Sequence, residues 1–134
     1  MIDIKIFKES VKELAPKFCL SLVILFGSQV SGKTHKQSDV DIGFIAKKKM
    51  NMREIVEMQM AFAQVLKAKD IEMVDLKNLS PLFLKGIAEK SILLYEEEPA
   101  FYSNFKIYAL KLFFEAKQLL HLRQISLNKF IQKI

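Results

Sequence analysis

Cysteine is almost missing from this chain of 134 residues: Cys19 stands alone. One cysteine excludes an intrachain disulfide and a cysteine-built zinc cluster, and a reducing cytoplasm is its simplest setting. The N-terminus lacks the basic-then-apolar order of a signal peptide. The longest apolar stretch, around residues 22–26, is far too short to span a bilayer. There is also no internal repeat, low-complexity tract or linker. What is present suits one folded domain with a real core, since 51% of residues are hydrophobic and 27% charged. Acids are the scarcer charge, 15 against 21 Lys and Arg, for a net charge of +6. Such an excess attracts an acidic partner, a nucleotide or nucleic acid, and it equally serves solubility. Much of it lies in residues 99–134, where five lysines and one arginine meet a single acid, Glu115.

Periodicity gives the elements. Ile4, Phe7, Val11 and Leu14 recur at helical spacing, and Pro16 closes that helix. Residues 19–26 form an apolar run ended by Gly27-Ser28, the pattern of a buried strand. Residues 40–46 read as a second strand. Asn51 caps a helix reaching about residue 68, with Glu54 placed to reach back to the cap. Met50, Met52, Met58 and Met60 read as packing residues. A third strand covers residues 71–76. Ser80-Pro81 is a cap and first-turn proline opening a short helix to about Ser91, and residues 92–95 add a short strand. After Pro99 one long helix follows, with Phe101, Phe105, Tyr108, Leu112, Leu119 and Leu122 on one face. The order predicts an α+β fold, a small mixed β-sheet with helices packed on it. Residues 1–98 are its core, and residues 99–134 are a terminal helix of the same domain, packed on that core or on a partner.

Chemistry concentrates between Leu25 and Gly43. Asp39 and Asp41 are two apart at the start of a strand, so both side chains point to one face. Adjacent carboxylates repel unless a cation neutralises them, and Mg²⁺ prefers oxygen ligands shared with substrate phosphates. Gly27 lets a triphosphate approach the backbone, and the Ser28 hydroxyl and the following amides can donate hydrogen bonds to it. Gly32 is a second flexible point.

Gly27-Ser28, ten residues, then Asp39-Val40-Asp41 resembles the signature of the DNA-polymerase-β-like nucleotidyltransferases. More narrowly it resembles their minimal nucleotidyltransferase (MNT) group, antitoxins that pair with HEPN-domain toxins. Gly32 and Ser38 also match that group, and the resemblance runs to Glu96. It implies the polymerase-β-like fold, Mg²⁺ as cofactor and ATP as substrate. It also implies transfer of AMP to a tyrosine of a HEPN RNase, with Asp39 and Asp41 as catalytic metal ligands and Gly27 and Ser28 as nucleotide-binding residues. The family's third carboxylate is best matched by Glu72, as catalytic residue and metal ligand. Asp70 shares its face if the strand starts early, and Asp75, the main rival, falls on the opposite face.

Two departures stand out: Glu72 stands where relatives more often have aspartate, and the loop lacks their arginines. Where relatives carry arginines, this chain has Gln29 and Ser31, and Lys33 and Lys36 could supply the positive charge instead. His35 and His121 have no evident catalytic partner. A non-catalytic antitoxin that neutralises by binding, and a small-molecule nucleotidyltransferase of the antibiotic-inactivating kind, stay open as alternatives. The latter usually needs an extra helical domain. Direct nucleic-acid binding has no clustered aromatic-basic strand motif behind it. The apolar, basic terminal helix could dock a partner or a second copy.

Overall fold

The computed structural model describes residues 3–27, 39–68 and 70–134, Asp39 by its backbone alone. Helix α1 (Ile4–Leu14) starts where the Asp3 carboxylate accepts hydrogen bonds from the amides of Lys5 and Ile6, at 3.1 and 3.5 Å. It buries Phe7, Val11 and Leu14, the predicted stripe. A 3-10 turn, Ala15–Phe18, then contains Pro16. Cys19 adopts a left-handed conformation (φ 55°) that ends this turn, so strand β1 runs Leu20–Phe26, one residue later than the apolar run suggests. Strand β2 is Asp39–Ala46.

Helix α2 (Met52–Leu66) has the expected reciprocal cap. The Glu54 amide donates to Asn51 Oδ1 at 2.8 Å, and the Asn51 amide donates to Glu54 Oε1 at 3.4 Å. Strand β3 is Asp70–Asp75, helix α3 Pro81–Glu89, strand β4 Ser91–Glu96 and helix α4 Phe101–Gln132. Ser80 occupies the N-cap position of α3, but its side chain makes no capping hydrogen bond there. Two of the four methionines read as packing residues prove exposed: Met58 is buried and Met50 packs against the core, whereas Met52 and Met60 face outward on α2. Their positions fall outside the stripe of Met58, Phe62 and Leu66.

The strands form one mixed sheet in the order β3-β2-β1-β4, with β2 and β3 parallel and the other pairs antiparallel. Each face carries its own core. On one, α1 and α2 cover Val23, Leu25, Val40, Ile42, Phe44, Ile71 and Met73. On the other, α3 and the start of α4 cover Leu22, Ile24 and Phe26 through Leu84, Ile87, Phe105 and Ala109. Alternation along β2 assigns Val40, Ile42 and Phe44 to the first face, and Asp41, Gly43 and Ile45 to the second.

Helix α4 is anchored at its beginning. Tyr102 sets its hydroxyl 2.6 Å from Ser91 Oγ, and its amide donates to Glu96 at 3.0 Å. The face that packs is centred on Phe105 and Ala109. Tyr108, Leu119 and Leu122, expected on the packed face, are exposed, and from residue 117 onward the whole helix is exposed. For Leu119 and Leu122 the cause is length, since a 32-residue helix rises about 1.5 Å per residue and outruns a four-stranded sheet, whereas Tyr108 lies beside the buried Phe105 and Ala109 and faces outward. Among the described residues no helix is long and apolar enough to cross a membrane.

Candidate active site

One row of paired residues crosses all four strands: Glu72 of β3 beside Asp41 of β2, Asp41 opposite Phe26 of β1, and Phe26 opposite Ser91 of β4. Directly paired residues share a face, here the one beneath α3 and α4. Strand β3 begins at Asp70, which pairs with Asp39, so Asp70 and Glu72 both lie on the face of Asp41. Asp75 lies on the other face. Its carboxylate accepts from the Lys77 amide at 3.0 Å and from Asn78 Nδ2 at 3.3 Å, capping the 3-10 turn after β3.

Gly27 follows β1 with φ +83°, a conformation that side chains disfavour. A Cβ built on it would overlap the Asp41 carboxylate. The turn thus passes against the carboxylate with no side chain between, which is the local reason for glycine here. Ser28, Gln29, Ser31, Gly32, Lys33, His35, Lys36 and Ser38 lie outside the described residues, as does the side chain of Asp39.

The metal-binding expectation can be tested on the donors themselves. Asp41 and Glu72, on adjacent strands, offer carboxylate oxygens, the donor type that Mg²⁺ takes. Among the described residues no three His, Cys, Asp or Glu side chains form a cluster able to hold an ion. The side chain of Asp39, whose backbone starts the same strand two residues before Asp41, lies outside that search.

Beside Asp41 a cavity of about 540 Å³ opens under α3. Phe26, Gly27 and Asp41 form one wall, and Leu82, Phe83, Gly86 and Ile87 of α3 form the other. Ser80 and Lys90 also line it. No motif reading singled these α3 residues out. The available signal was the adjacent pair Leu82-Phe83, exposed apolar residues on a helix whose buried side is Leu84 and Ile87.

A family model described as Polymerase beta, Nucleotidyltransferase matches residues 8–100 of the chain. The chain belongs to that family. The match takes in both carboxylate-bearing strands, the Gly27 turn and all of α3, so the candidate site of this nucleotidyltransferase lies inside the family's own segment. No curated protein matches it. Solved structures resemble it along nearly their whole length. One is a toxin–antitoxin complex with AMP-PNP, at 22% identity and TM-score 0.67, covering 92% of this chain and 98% of that one. Another is an MntA–HpeT toxin–antitoxin mutant with two Asp-to-Glu substitutions, at 20% identity and TM-score 0.69, with the same coverage of 92% and 98%. A third is a tri-AMPylated Shewanella oneidensis HEPN toxin in complex with MNT antitoxin, at 20% identity and TM-score 0.66, covering 96% and 99%. At such identities the likeness speaks for the fold, and the nucleotidyltransferase assignment rests on the family match.

Proposed function

We propose that this nucleotidyltransferase is an antitoxin that transfers AMP from ATP to a tyrosine of a HEPN-domain RNase. The observation that carries the reading is the Gly27 turn laid against Asp41, with Glu72 beside Asp41 on the same face. Asp39, Asp41 and Glu72 would hold Mg²⁺, which when bound neutralises the triphosphate and stabilises charge that develops as pyrophosphate leaves. Gly27 leaves room for the phosphates, and Ser28 donates a hydrogen bond to them. Glu72 takes the proton of the acceptor hydroxyl. That oxygen then bonds to the α-phosphorus of ATP, the bond from this phosphorus to the bridging oxygen breaks, pyrophosphate departs, and AMP remains on the tyrosine.

The partner is supported by the likeness to toxin–antitoxin complexes that extends over the whole fold, α4 included. It is also supported by what α4 leaves uncovered. Phe114, Leu120, Leu127 and Phe130 are all more than half exposed on a helix whose lysines are nearly unopposed. Such a surface suits a partner with an apolar patch and an acidic rim, because the charges steer encounter and the aromatic residues supply buried contact. Phe113 has a different role, half-buried with Lys85 Nζ 4.7 Å from its ring centre.

A second reading has its own observation. The exposed half of α4 could silence a toxin by covering it, without any transfer. The test is to incubate the protein with ATP, Mg²⁺ and the product of the adjacent gene, then weigh that partner intact. A gain of whole AMP units supports catalytic neutralisation. Loss of RNase activity with no mass gain, obtained equally with Asp39 and Asp41 both replaced by alanine, establishes the binding-only reading instead.

A further inference from the structure

We infer that the cavity under α3 is the nucleobase pocket, with Phe83 as its stacking surface and Lys90 as the donor to the far edge of a purine. The inference rests on the nucleotidyl-transfer reading above and adds to it where the nucleoside lies. Its basis is the order of residues across the sheet. Glu72, Asp41, Phe26 and Ser91 form a single row over β3, β2, β1 and β4, with neighbouring strands about 4.8 Å apart. Asp41 and Phe26 line the cavity and Glu72 does not; Lys90, next to Ser91, lines it as well. The cavity therefore runs from Asp41 across β1 toward β4, away from Glu72.

That direction separates the two substrates. The acceptor hydroxyl has to meet Glu72, its proton acceptor, so it approaches from the β3 edge. The space on the other side of Asp41 is left for ATP's own nucleoside. The lining agrees with a base. Phe26, Leu82, Phe83 and Ile87 make the space largely apolar, and aromatic faces hold bases by stacking, which every base offers. At about 540 Å³ the cavity is within the usual range for small-molecule sites. A purine also has ring nitrogens that accept a hydrogen bond from Lys90. A tyrosine with its hydroxyl at Asp41 would turn only carbon and its own main chain toward that lysine.

Gly86 makes the pocket testable. It lies within α3, and a Cβ built on it meets nothing within 4 Å. Leucine there favours the helix over glycine and projects into the cavity. Binding of ATP and of inorganic tripolyphosphate, each with Mg²⁺, would be measured by calorimetry for the wild type, Gly86→Leu and Phe83→Ala. ATP affinity is expected to fall by about tenfold or more in Gly86→Leu and by a smaller factor in Phe83→Ala, the scale of losing one stacked base. Tripolyphosphate affinity should stay unchanged in both. Unchanged ATP affinity in both variants, with binding lost when Asp39 and Asp41 are alanine, would overturn the pocket and leave the transfer reading standing. An equal fall for tripolyphosphate in both variants would also overturn it, because the substitutions would then act on the phosphate site or the fold. If the wild type binds neither ligand, the transfer reading fails and the pocket with it.

Discussion

The two faces of the sheet are built from the same four strands and do different things. Beneath α1 and α2 the alternate residues of β2 are Val40, Ile42, Phe44 and Ala46, all buried in one continuous apolar core. One residue out of phase, the same strand presents Asp41, Gly43 and Ile45 to the side of α3 and α4. There the apolar packing covers the middle of the sheet and stops short of the carboxylate end. Because side chains in a strand repeat every two residues, a slip of one position would exchange a core for the candidate active site. Substitutions on the first face should therefore change stability and spare chemistry, while those on the second should do the reverse.

The largest effect is expected from replacing Asp39 and Asp41 together with alanine. Transfer should fall by about three orders of magnitude or more, the scale of losing stabilisation of transition-state charge. Urea unfolding should change little, since Asp41 belongs to neither core cluster. The complementary change on the other face is Phe62→Ala. Phe62 is fully buried, with its ring centre 6.4 Å from that of Phe18. Truncation should cost about 3–5 kcal/mol in chemical denaturation, while the remaining folded fraction keeps its Mg-ATP affinity.

Gly27→Val should act at the site through the backbone. It forces a branched side chain into φ +83° and against the Asp41 carboxylate. Mg-ATP binding measured by calorimetry should weaken by about tenfold or more, and full affinity would remove Gly27 from the nucleotide site. The smallest effect concerns Lys47, which pairs with Glu97 and whose pKa is raised above 10.5, chiefly by that hydrogen bond. A raised folded-state pKa means the contribution is complete below 10.5 and fades as pH climbs through the folded value. Lys47→Met should therefore lower the melting temperature slightly near neutral pH and not at all in strong alkali. Both ends of the pair are substantially exposed, so the shift should be small and sensitive to salt.

Much of this division was legible in the sequence. The helical stripe of Phe7, Val11 and Leu14, the Asn51–Glu54 cap and a strand that begins at the Asp39-Val40-Asp41 motif are local signals, and each is found in the fold. The parity of β3 also put Glu72 and Asp75 on opposite sides before any sheet order was known. What local pattern could not reveal was the pairing across strands. That Asp41 stands beside Glu72 and opposite Phe26 depends on register, and the pocket depends on where α3 comes to rest. The fate of α4 was hidden for a related reason. Its apolar residues continue almost to the end, so periodicity alone did not show that the supporting sheet gives out partway along the helix.

The opposed roles of the two faces are tested most directly within β3, where Glu72 and Asp75 are three residues apart on opposite sides. The measurement is the rate of AMP transfer to the proposed HEPN partner by Glu72→Gln and by Asp75→Asn, each preserving shape while removing charge. Glu72→Gln should slow transfer by about 10²-fold or more, as expected for loss of a general base. Asp75→Asn should leave the rate close to that of the wild type and lower only stability, by loosening the cap at Lys77 and Asn78. A normal rate in Glu72→Gln together with a collapse in Asp75→Asn would contradict the assignment of catalysis to the α3–α4 face.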